Sequence, residues 1–163
     1  MKIRPVILCG GAGTRLWQNH KKHQAKQFIN FGNWTLFGKT LERIKGSIFD
    51  TPVISTNKIY LKQVKQHLKK HKIKNYKIVL EPAKRNTAPA ILSTALIKDI
   101  PDNQPLMFFS SDHLIEKVNI FNNAINKNKI NLTNQNLFIF GIKPKSPSSE
   151  YGYFLTKKIK RNI

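Results

Sequence analysis

The sequence predicts an α/β fold in which an open, mostly parallel sheet is covered by helices on both faces. Five short apolar runs are separated by segments whose apolar residues recur at helical spacing. Strands that alternate with single helices are typical of βαβ units, and such units build parallel sheets. No internal repeat and no Pro/Gly/Ser-rich linker divides the chain, so we expect one domain over residues 1–163.

The predicted strands and helices alternate along the chain. The apolar runs typical of strands are Val6–Cys9, Pro52–Ser55, Tyr76–Leu80, Leu106–Phe109 and Leu137–Ile142, with a further strand-like run at Tyr151–Leu155. Helical spacing is found within Leu36–Ile44, Ile59–Leu68, Ala88–Ile97 and Ile120–Ile125. We expect Asn86 or Thr87 to cap the third helix, because a side-chain oxygen there can accept hydrogen bonds from free backbone N–H groups.

The chain is strongly basic. It carries 29 Lys and Arg against 8 Asp and Glu, which gives a formal net charge of +21. Charge of this sign favours polyanions, so a basic protein that binds them through charge alone is one candidate function. Lysine and asparagine are abundant throughout the chain, and no RNA- or DNA-binding motif accompanies them. We therefore do not expect specific nucleic-acid binding.

Three sequence features concern the cellular setting. No apolar run approaches the roughly 18–20 residues that span a bilayer, so we expect no membrane association. The first residues lead directly into the first predicted strand, so we expect no signal peptide and a cytoplasmic protein. The single cysteine, Cys9, excludes an intrachain disulfide. We expect it to be a small buried residue at a strand end, because a catalytic cysteine would need a histidine base and an open pocket.

A glycine-rich turn follows the first predicted strand. Gly10, Gly11 and Gly13 add little bulk, so backbone N–H groups there can approach a phosphate closely. Arg15 and Lys26 can neutralise its charge. The turn lacks the glycine-lysine-hydroxyl triplet of a P-loop, and it is not a dinucleotide fingerprint, whose third glycine falls on a leucine here. The pattern predicts a phosphate site at the carboxyl end of a strand, where open α/β sheets bind ligands.

A second candidate residue follows the fourth predicted strand. Asp112 comes directly after Leu106–Phe109 and two serines, so its carboxylate is expected at the same edge of the sheet. Mg²⁺ in nucleotide sites takes one or two carboxylates together with phosphate oxygens and water. The competing interpretation is a turn or N-cap aspartate. We expect the neighbouring His113 to be structural, because no second histidine lies at a zinc-like spacing.

Four stretches of the chain resemble the sugar-1-phosphate nucleotidyltransferase family. Gly10-Gly11-Ala12-Gly13-Thr14-Arg15-Leu16-Trp17 with Lys26-Gln27-Phe28 is similar to its signature, and the Trp and the Lys-Gln-Phe are similar to the branch that transfers guanylyl groups to mannose 1-phosphate. The later stretches 81–90, 110–115 and 140–153 are similar to EPxxRNTAPA, PADHxI and FGIxPxxPxTGYGYI. They occur in the family's order, so the resemblance covers essentially the whole chain.

The resemblance implies a Rossmann-like nucleotidyltransferase domain with Mg²⁺ as cofactor. Its reaction would join GTP and mannose 1-phosphate into GDP-mannose and pyrophosphate, for glycan or polysaccharide precursor synthesis. The sugar phosphate would attack the α-phosphate in line, so no enzyme nucleophile is required. The implied roles are catalysis for Arg15 and Lys26, nucleotide binding for Gly10, Gly11, Gly13, Thr14, Glu81, Asn86 and Thr87, sugar binding for Ser111 and Gly152, and metal binding for Asp112.

The chain also departs from the family pattern. Gln18, His20 and Ala25 replace a proline, a serine and a proline, and Glu150 replaces a glycine near the expected sugar pocket. The family's later Glu-Lys-Pro segment and second metal-binding aspartate have no counterpart, so we expect a C-terminally truncated domain. Three alternatives stay open: another sugar-1-phosphate nucleotidyltransferase using UTP or dTTP, a non-catalytic nucleotide-binding fragment, and half of a split enzyme completed by a partner chain or a second copy.

Overall fold

The computed structural model describes residues 1–11, 25–83, 86–133, 136–149 and 151–155. The chain divides into two compact units, Met1–Asn131 and Leu132–Ile163. The described helices and strands all belong to the first unit. No helix among the described residues is both long and apolar enough to cross a bilayer. A single domain over the whole chain and a cytoplasmic location stay predictions.

The first unit is an alternating α/β fold. Its elements in order are β1 (Arg4–Cys9), α1 (Leu36–Arg43), β2 (Val53–Thr56), α2 (Leu61–Lys70), β3 (Lys77–Leu80), α3 (Thr87–Ala95), β4 (Leu106–Ser110) and α4 (Val118–Asn128). Single 3₁₀ turns lie at Lys26–Phe28 and Lys129–Asn131. The strands form one sheet in the order β3-β2-β1-β4, and every pairing is parallel. The predicted fold class is confirmed, with four of the six predicted strands and all four predicted helices.

The central strand β1 is paired on both sides. Val6 lies opposite Val53 of β2, and Arg4 lies opposite Leu106 of β4. Because side chains alternate along a strand, each face of the sheet carries its own apolar set. On one face Val6 and Val53 pack with Ile100, which follows α3 closely.

The opposite face of the sheet is also covered. The ring of Phe109 in β4 meets Phe121 of α4 at a centroid distance of 6.1 Å and Phe49 at 5.8 Å. The Arg43 guanidinium at the end of α1 lies 6.0 Å from the same ring centroid. Helices therefore cover both faces, as the alternating pattern predicted.

Helix α1 and the first 3₁₀ turn form a small aromatic core. Thr35 caps α1, since its hydroxyl oxygen accepts a hydrogen bond from the Gly38 N–H at 3.0 Å. Phe37 of α1 is fully buried, and Phe28 of the turn packs on it edge to face with the centroids 5.5 Å apart. This packing fixes the turn Lys26–Phe28 against the helix, and it thereby positions Lys26.

The start of α3 differs from the predicted cap. Asn86 occupies the N-cap position, but its side chain makes no capping hydrogen bond. Its φ of 51° and ψ of −172° depart from the extended conformation that aims a capping oxygen at the first turn. Thr87 is the first residue of the helix itself. The prediction that one of these side chains caps α3 is therefore wrong.

The second unit contains no strand among its described residues. Leu137–Ile142 and Tyr151–Leu155 were predicted to be strands, and both predictions are wrong. Leu137, Ile142 and Leu155 are 96%, 92% and 100% exposed. An apolar run becomes a strand only when neighbouring backbone groups pair with it, and no described strand does so here. The unit is held locally by the Tyr153 hydroxyl, which donates to the Ser148 carbonyl at 3.0 Å and accepts from its N–H at 2.7 Å.

Candidate functional site

The candidate site lies at the carboxyl edge of the sheet, between β1 and β4. The chain passes from β1 to β2 on one side of the sheet, and β4 joins on the other side, so the strand order reverses at this point. Open α/β sheets bind ligands at such a switch point. Gly10 and Gly11 follow β1, and Asp112 follows β4. The Ser111 N–H donates to the Leu8 carbonyl at 3.3 Å, which keeps the two strand ends adjacent.

Lys26 and Asp112 meet at this edge. The Lys26 ammonium nitrogen lies 3.4 Å from Oδ2 of Asp112, and the two side chains are 35% and 33% exposed. The Ser110 hydroxyl donates to Oδ1 of Asp112 at 2.5 Å. The His113 Nε2 lies 3.9 Å from the same Oδ1. A cation and an anion, both partly exposed to solvent, therefore meet at this edge of the sheet.

The Asp112 carboxyl is held in its ionised form. Burial opposes its ionisation, but the Ser110 hydroxyl, the Lys26 ammonium and His113 outweigh that effect and hold the pKa of Asp112 below its usual value. An ionised and partly exposed carboxylate fits Mg²⁺, which takes few protein ligands in nucleotide sites. No cluster of three or more potential metal ligands occurs among the described residues. An ion bound here would take its other ligands from phosphate and water.

Glu81 lies beside the glycine turn. A methyl group built on Gly10 would come within 2.9 Å of Oε2 and 3.1 Å of Oε1 of Glu81, whereas one on Gly11 would meet nothing within 4 Å. The Ser55 hydroxyl of β2 donates to Oε1 at 2.7 Å and fixes this carboxylate. The structure thus brings Glu81 to Gly10, and Ser55 is a partner that the sequence analysis missed.

Three further side chains of the site were also missed. Thr56 and Asn57, at the end of β2, and Gln27, beside Lys26, each donate a hydrogen bond to a backbone carbonyl at the end of β1. For Thr56 and Asn57 the sequence contains a signal, because both are polar residues that directly follow the predicted strand Pro52–Ser55. For Gln27 the sequence contains no signal beyond its place in the Lys-Gln-Phe string.

The other predicted site residues are distributed as follows. Ser111 is buried at the carboxyl end of β4, with its side chain hydrogen-bonded to Cys9. Asn86 and Thr87 are exposed at the start of α3. Gly152 belongs to the second unit and is exposed. The remaining predicted residues, Gly13, Thr14 and Arg15, lie outside the described residues.

Cys9 is structural in this site. Its side chain is fully buried at the end of β1, and burial raises the pKa of the thiol to about 12. A thiol with this pKa supplies almost no thiolate at neutral pH, so it is a poor nucleophile.

We expect Cys9 in the native chain to resist alkylation by iodoacetamide at pH 8 and to be modified rapidly in a denaturant. Mass spectrometry of timed samples measures both rates. Equal rates in the two conditions would contradict the buried position, because the thiol would then be accessible without unfolding.

Several known proteins are similar in sequence to this chain. A family model described as nucleotidyl transferase matches residues 4–161. A mannose-1-phosphate guanylyltransferase of Escherichia coli is 38% identical over 160 residues, which are 95% of this chain and 34% of that protein. The alginate biosynthesis protein AlgA of Pseudomonas fluorescens is 35% identical over 151 residues, 91% of this chain and 31% of that protein. The chain spans about a third of the length of these curated relatives.

A solved structure shows the same fold. The crystal structure of a mannose-6-phosphate isomerase from Helicobacter pylori aligns with a TM-score of 0.61 and 28% sequence identity. The alignment covers 80% of this chain and 46% of that one. The α/β architecture described above is therefore shared with a larger protein.

Proposed function

This chain belongs to the nucleotidyl transferase family, and from that premise we propose that it binds GTP and forms the nucleotide-binding half of a mannose-1-phosphate guanylyltransferase. In the proposed reaction a phosphate oxygen of mannose 1-phosphate attacks the α-phosphorus of GTP. The bond from that phosphorus to the β-phosphate oxygen breaks, and GDP-mannose and pyrophosphate are formed. The choice of GTP and mannose 1-phosphate is supported by the Trp17 and Lys-Gln-Phe resemblance and by the 38% identical relative.

One observation carries the proposal: Lys26 and Asp112 meet beside the glycine turn, with Nζ and Oδ2 3.4 Å apart. Nucleotidyl transfer moves a highly charged phosphate chain, so it requires fixed positive charge and a metal-binding carboxylate within one small volume. Side chains from two distant parts of the sequence supply both at the switch point of the sheet. An ion pair that only stabilised the fold could lie anywhere on the surface, whereas this one lies where open α/β sheets bind ligands.

The roles proposed for the glycine turn, Lys26 and Asp112 are supported by their positions at the edge of the sheet. Backbone groups of Gly10 and Gly11 bind phosphate, and the Lys26 ammonium stabilises the charge that develops on the leaving pyrophosphate. Asp112 holds Mg²⁺, which when bound neutralises phosphate oxygens. The resemblance alone supports the roles proposed for five further residues: contacts to the base and ribose for Glu81, Asn86 and Thr87, and contacts to the sugar for Ser111 and for Gly152.

Gly13, Thr14 and Arg15 complete the proposed set, on the phosphate side of the nucleotide. Their roles rest on the resemblance alone. Arginine presents a planar fork of donors that matches phosphate oxygens, so Arg15 would add a second cation to that of Lys26.

A second candidate function is a nucleotide-binding chain that needs a partner for turnover. This alternative stays open from the sequence analysis, and the 163 residues match about a third of the length of the curated relatives. Such a chain would bind Mg²⁺-GTP at the same site. It would reach full activity only when a partner chain or a second copy completes the sugar side.

The test combines binding with turnover. The purified 163-residue chain is titrated with GTP, UTP and dTTP in the presence of Mg²⁺, and pyrophosphate release is then followed with and without mannose 1-phosphate. GTP-selective binding with turnover that needs both substrates is the expected result for the complete proposal. Saturable GTP binding without turnover supports the partner-dependent form. Selective use of UTP or dTTP, or no nucleotide binding by a folded chain, would show that the guanylyl assignment is wrong.

A further inference from the structure

Three consecutive backbone carbonyls at the end of β1 each accept a hydrogen bond from a side chain. The Thr56 hydroxyl donates to the Cys9 carbonyl at 3.0 Å, the Asn57 amide to the Gly10 carbonyl at 3.2 Å, and the Gln27 amide to the Gly11 carbonyl at 3.1 Å. The three donors come from two separate segments of the chain. Each donor lies 16 or 47 residues along the chain from the carbonyl that it binds, so tertiary packing brings all three to this one turn.

The three donors are themselves fixed. Thr56, Asn57 and Gln27 are all buried. The Asn57 Oδ1 accepts a hydrogen bond from the Tyr60 N–H at 3.2 Å, so both ends of this amide are engaged. Gln27 lies in the 3₁₀ turn that Phe28 anchors to α1. Movement of the glycine turn away from these donors would therefore break the three hydrogen bonds.

Anchoring a carbonyl also orients the neighbouring N–H. The described peptide bonds are all trans, so the C=O of one residue and the N–H of the next point in opposite directions. Holding the Gly10 carbonyl against Asn57 therefore directs the Gly11 N–H away from Asn57. Glycine has more backbone freedom than any other residue, so without such anchors the turn would sample many orientations.

We propose that Thr56, Asn57 and Gln27 are positioning residues that hold the Gly10–Gly11 backbone in its phosphate-binding orientation before a nucleotide arrives. They act through the glycine carbonyls, and the ligand group that they serve is the polyphosphate of a nucleoside triphosphate. This inference rests on the proposed function. It adds that the phosphate affinity of the turn depends on side chains of β2 and of the turn that carries Lys26.

Two substitutions remove single anchors with little change of shape. Asn57→Asp keeps the oxygen that accepts from the Tyr60 N–H, but it replaces the donor that faces the Gly10 carbonyl by an acceptor. Gln27→Met removes the donor to the Gly11 carbonyl without adding charge. Gln66→Glu, on the exposed face of α2, is the control for an added negative charge distant from the turn. Thermal unfolding of each variant verifies that the chain is folded.

The first measurement is made without ligand. Backbone ¹⁵N relaxation of the Gly11 N–H is expected to give an order parameter of about 0.85 in the wild type and below about 0.6 in Asn57→Asp and Gln27→Met. The Gln66→Glu control should match the wild type. An unchanged order parameter in both anchor variants would overturn the inference, whatever the protein binds.

The second measurement is the affinity for GTP and for guanosine, both by calorimetry. We expect the GTP dissociation constant to rise about 10- to 100-fold in each anchor variant, as for the loss of a well-placed hydrogen bond, and the guanosine constant to stay within about twofold. Equal losses for the two ligands, or none, would overturn the inference. A wild-type chain that does not bind GTP would disprove the proposed function and the ligand part of the inference, and the relaxation data would still decide the anchoring part.

Discussion

Lys26→Ala is expected to weaken the binding of Mg²⁺-GTP about 10- to 100-fold, the range for losing one charge-assisted hydrogen bond to phosphate. Any turnover of the proposed reaction should fall by at least the same factor, because the ammonium also stabilises charge on the leaving pyrophosphate. Calorimetric titration with GTP, followed by pyrophosphate release with mannose 1-phosphate, measures the two effects separately. Lys26→Arg, which keeps the charge, should recover part of the binding.

Lys77→Ala is the matched control for this experiment. Lys77 in β3 also pairs with an aspartate, since its ammonium lies 2.7 Å from Oδ2 of Asp99, and its side chain is exposed to a similar extent as that of Lys26. Both substitutions remove one positive charge, yet only Lys26 lies beside the glycine turn. Partly exposed ion pairs contribute roughly 0–1 kcal/mol, so neither variant should unfold the chain. Equal affinity of the two variants for GTP would show that Lys26 does not contact phosphate.

Gly10→Ala is expected to lower the free energy of unfolding by about 0.5–1.5 kcal/mol, the range for disturbing the hydrogen bond that fixes Glu81. The new methyl group would lie 2.9 Å from Oε2 of Glu81, so this carboxylate has to shift, which disturbs its 2.7 Å hydrogen bond from Ser55. Urea denaturation measures the change. GTP binding should weaken at the same time, because the turn and Glu81 would both be displaced.

Gly11→Ala separates this effect from a general intolerance of the turn. A methyl group on Gly11 would meet nothing within 4 Å, so its effect on unfolding should be small. Glu81→Ala combined with Gly10→Ala removes the obstructing carboxylate, and the double variant should lose less stability than the sum of the single losses. Additive losses, or equal losses for Gly10→Ala and Gly11→Ala, would show that the contact with Glu81 is not the cause.

The secondary structure of the first unit was predictable because each element has a local signal. β1 contains the uninterrupted apolar run Val6–Cys9, which ends at glycines, and α1 places Phe37 and Leu41 on one buried face. The edge location of Gly10 and Asp112 was also predictable, since residues that follow parallel strands meet at one edge of the sheet. These inferences need only the order of residues along the chain.

The contacts that complete the site were not predictable in this way. Ser55 meets Glu81, and Asn57 and Gln27 meet the glycine carbonyls, only because separate strands and a 3₁₀ turn pack together. Leu137–Ile142 shows the opposite case, in which a strand-like pattern forms no strand. The pattern of apolar side chains indicates that a segment is able to form a strand. Whether it does so depends on whether the rest of the fold offers a neighbouring strand to pair with.

The order of the sheet has a consequence for how the protein folds. β1 precedes the other three described strands along the chain, yet its partner on one side is β4, so that Arg4 aligns with Leu106. Pairings between residues so distant along a chain form slowly, because a large loop must close first. The glycine turn can acquire its Asp112 neighbour only after this closure. We therefore expect nucleotide binding to appear last during refolding, after the helical signal has recovered, and a ligand bound here to slow unfolding more than it speeds folding.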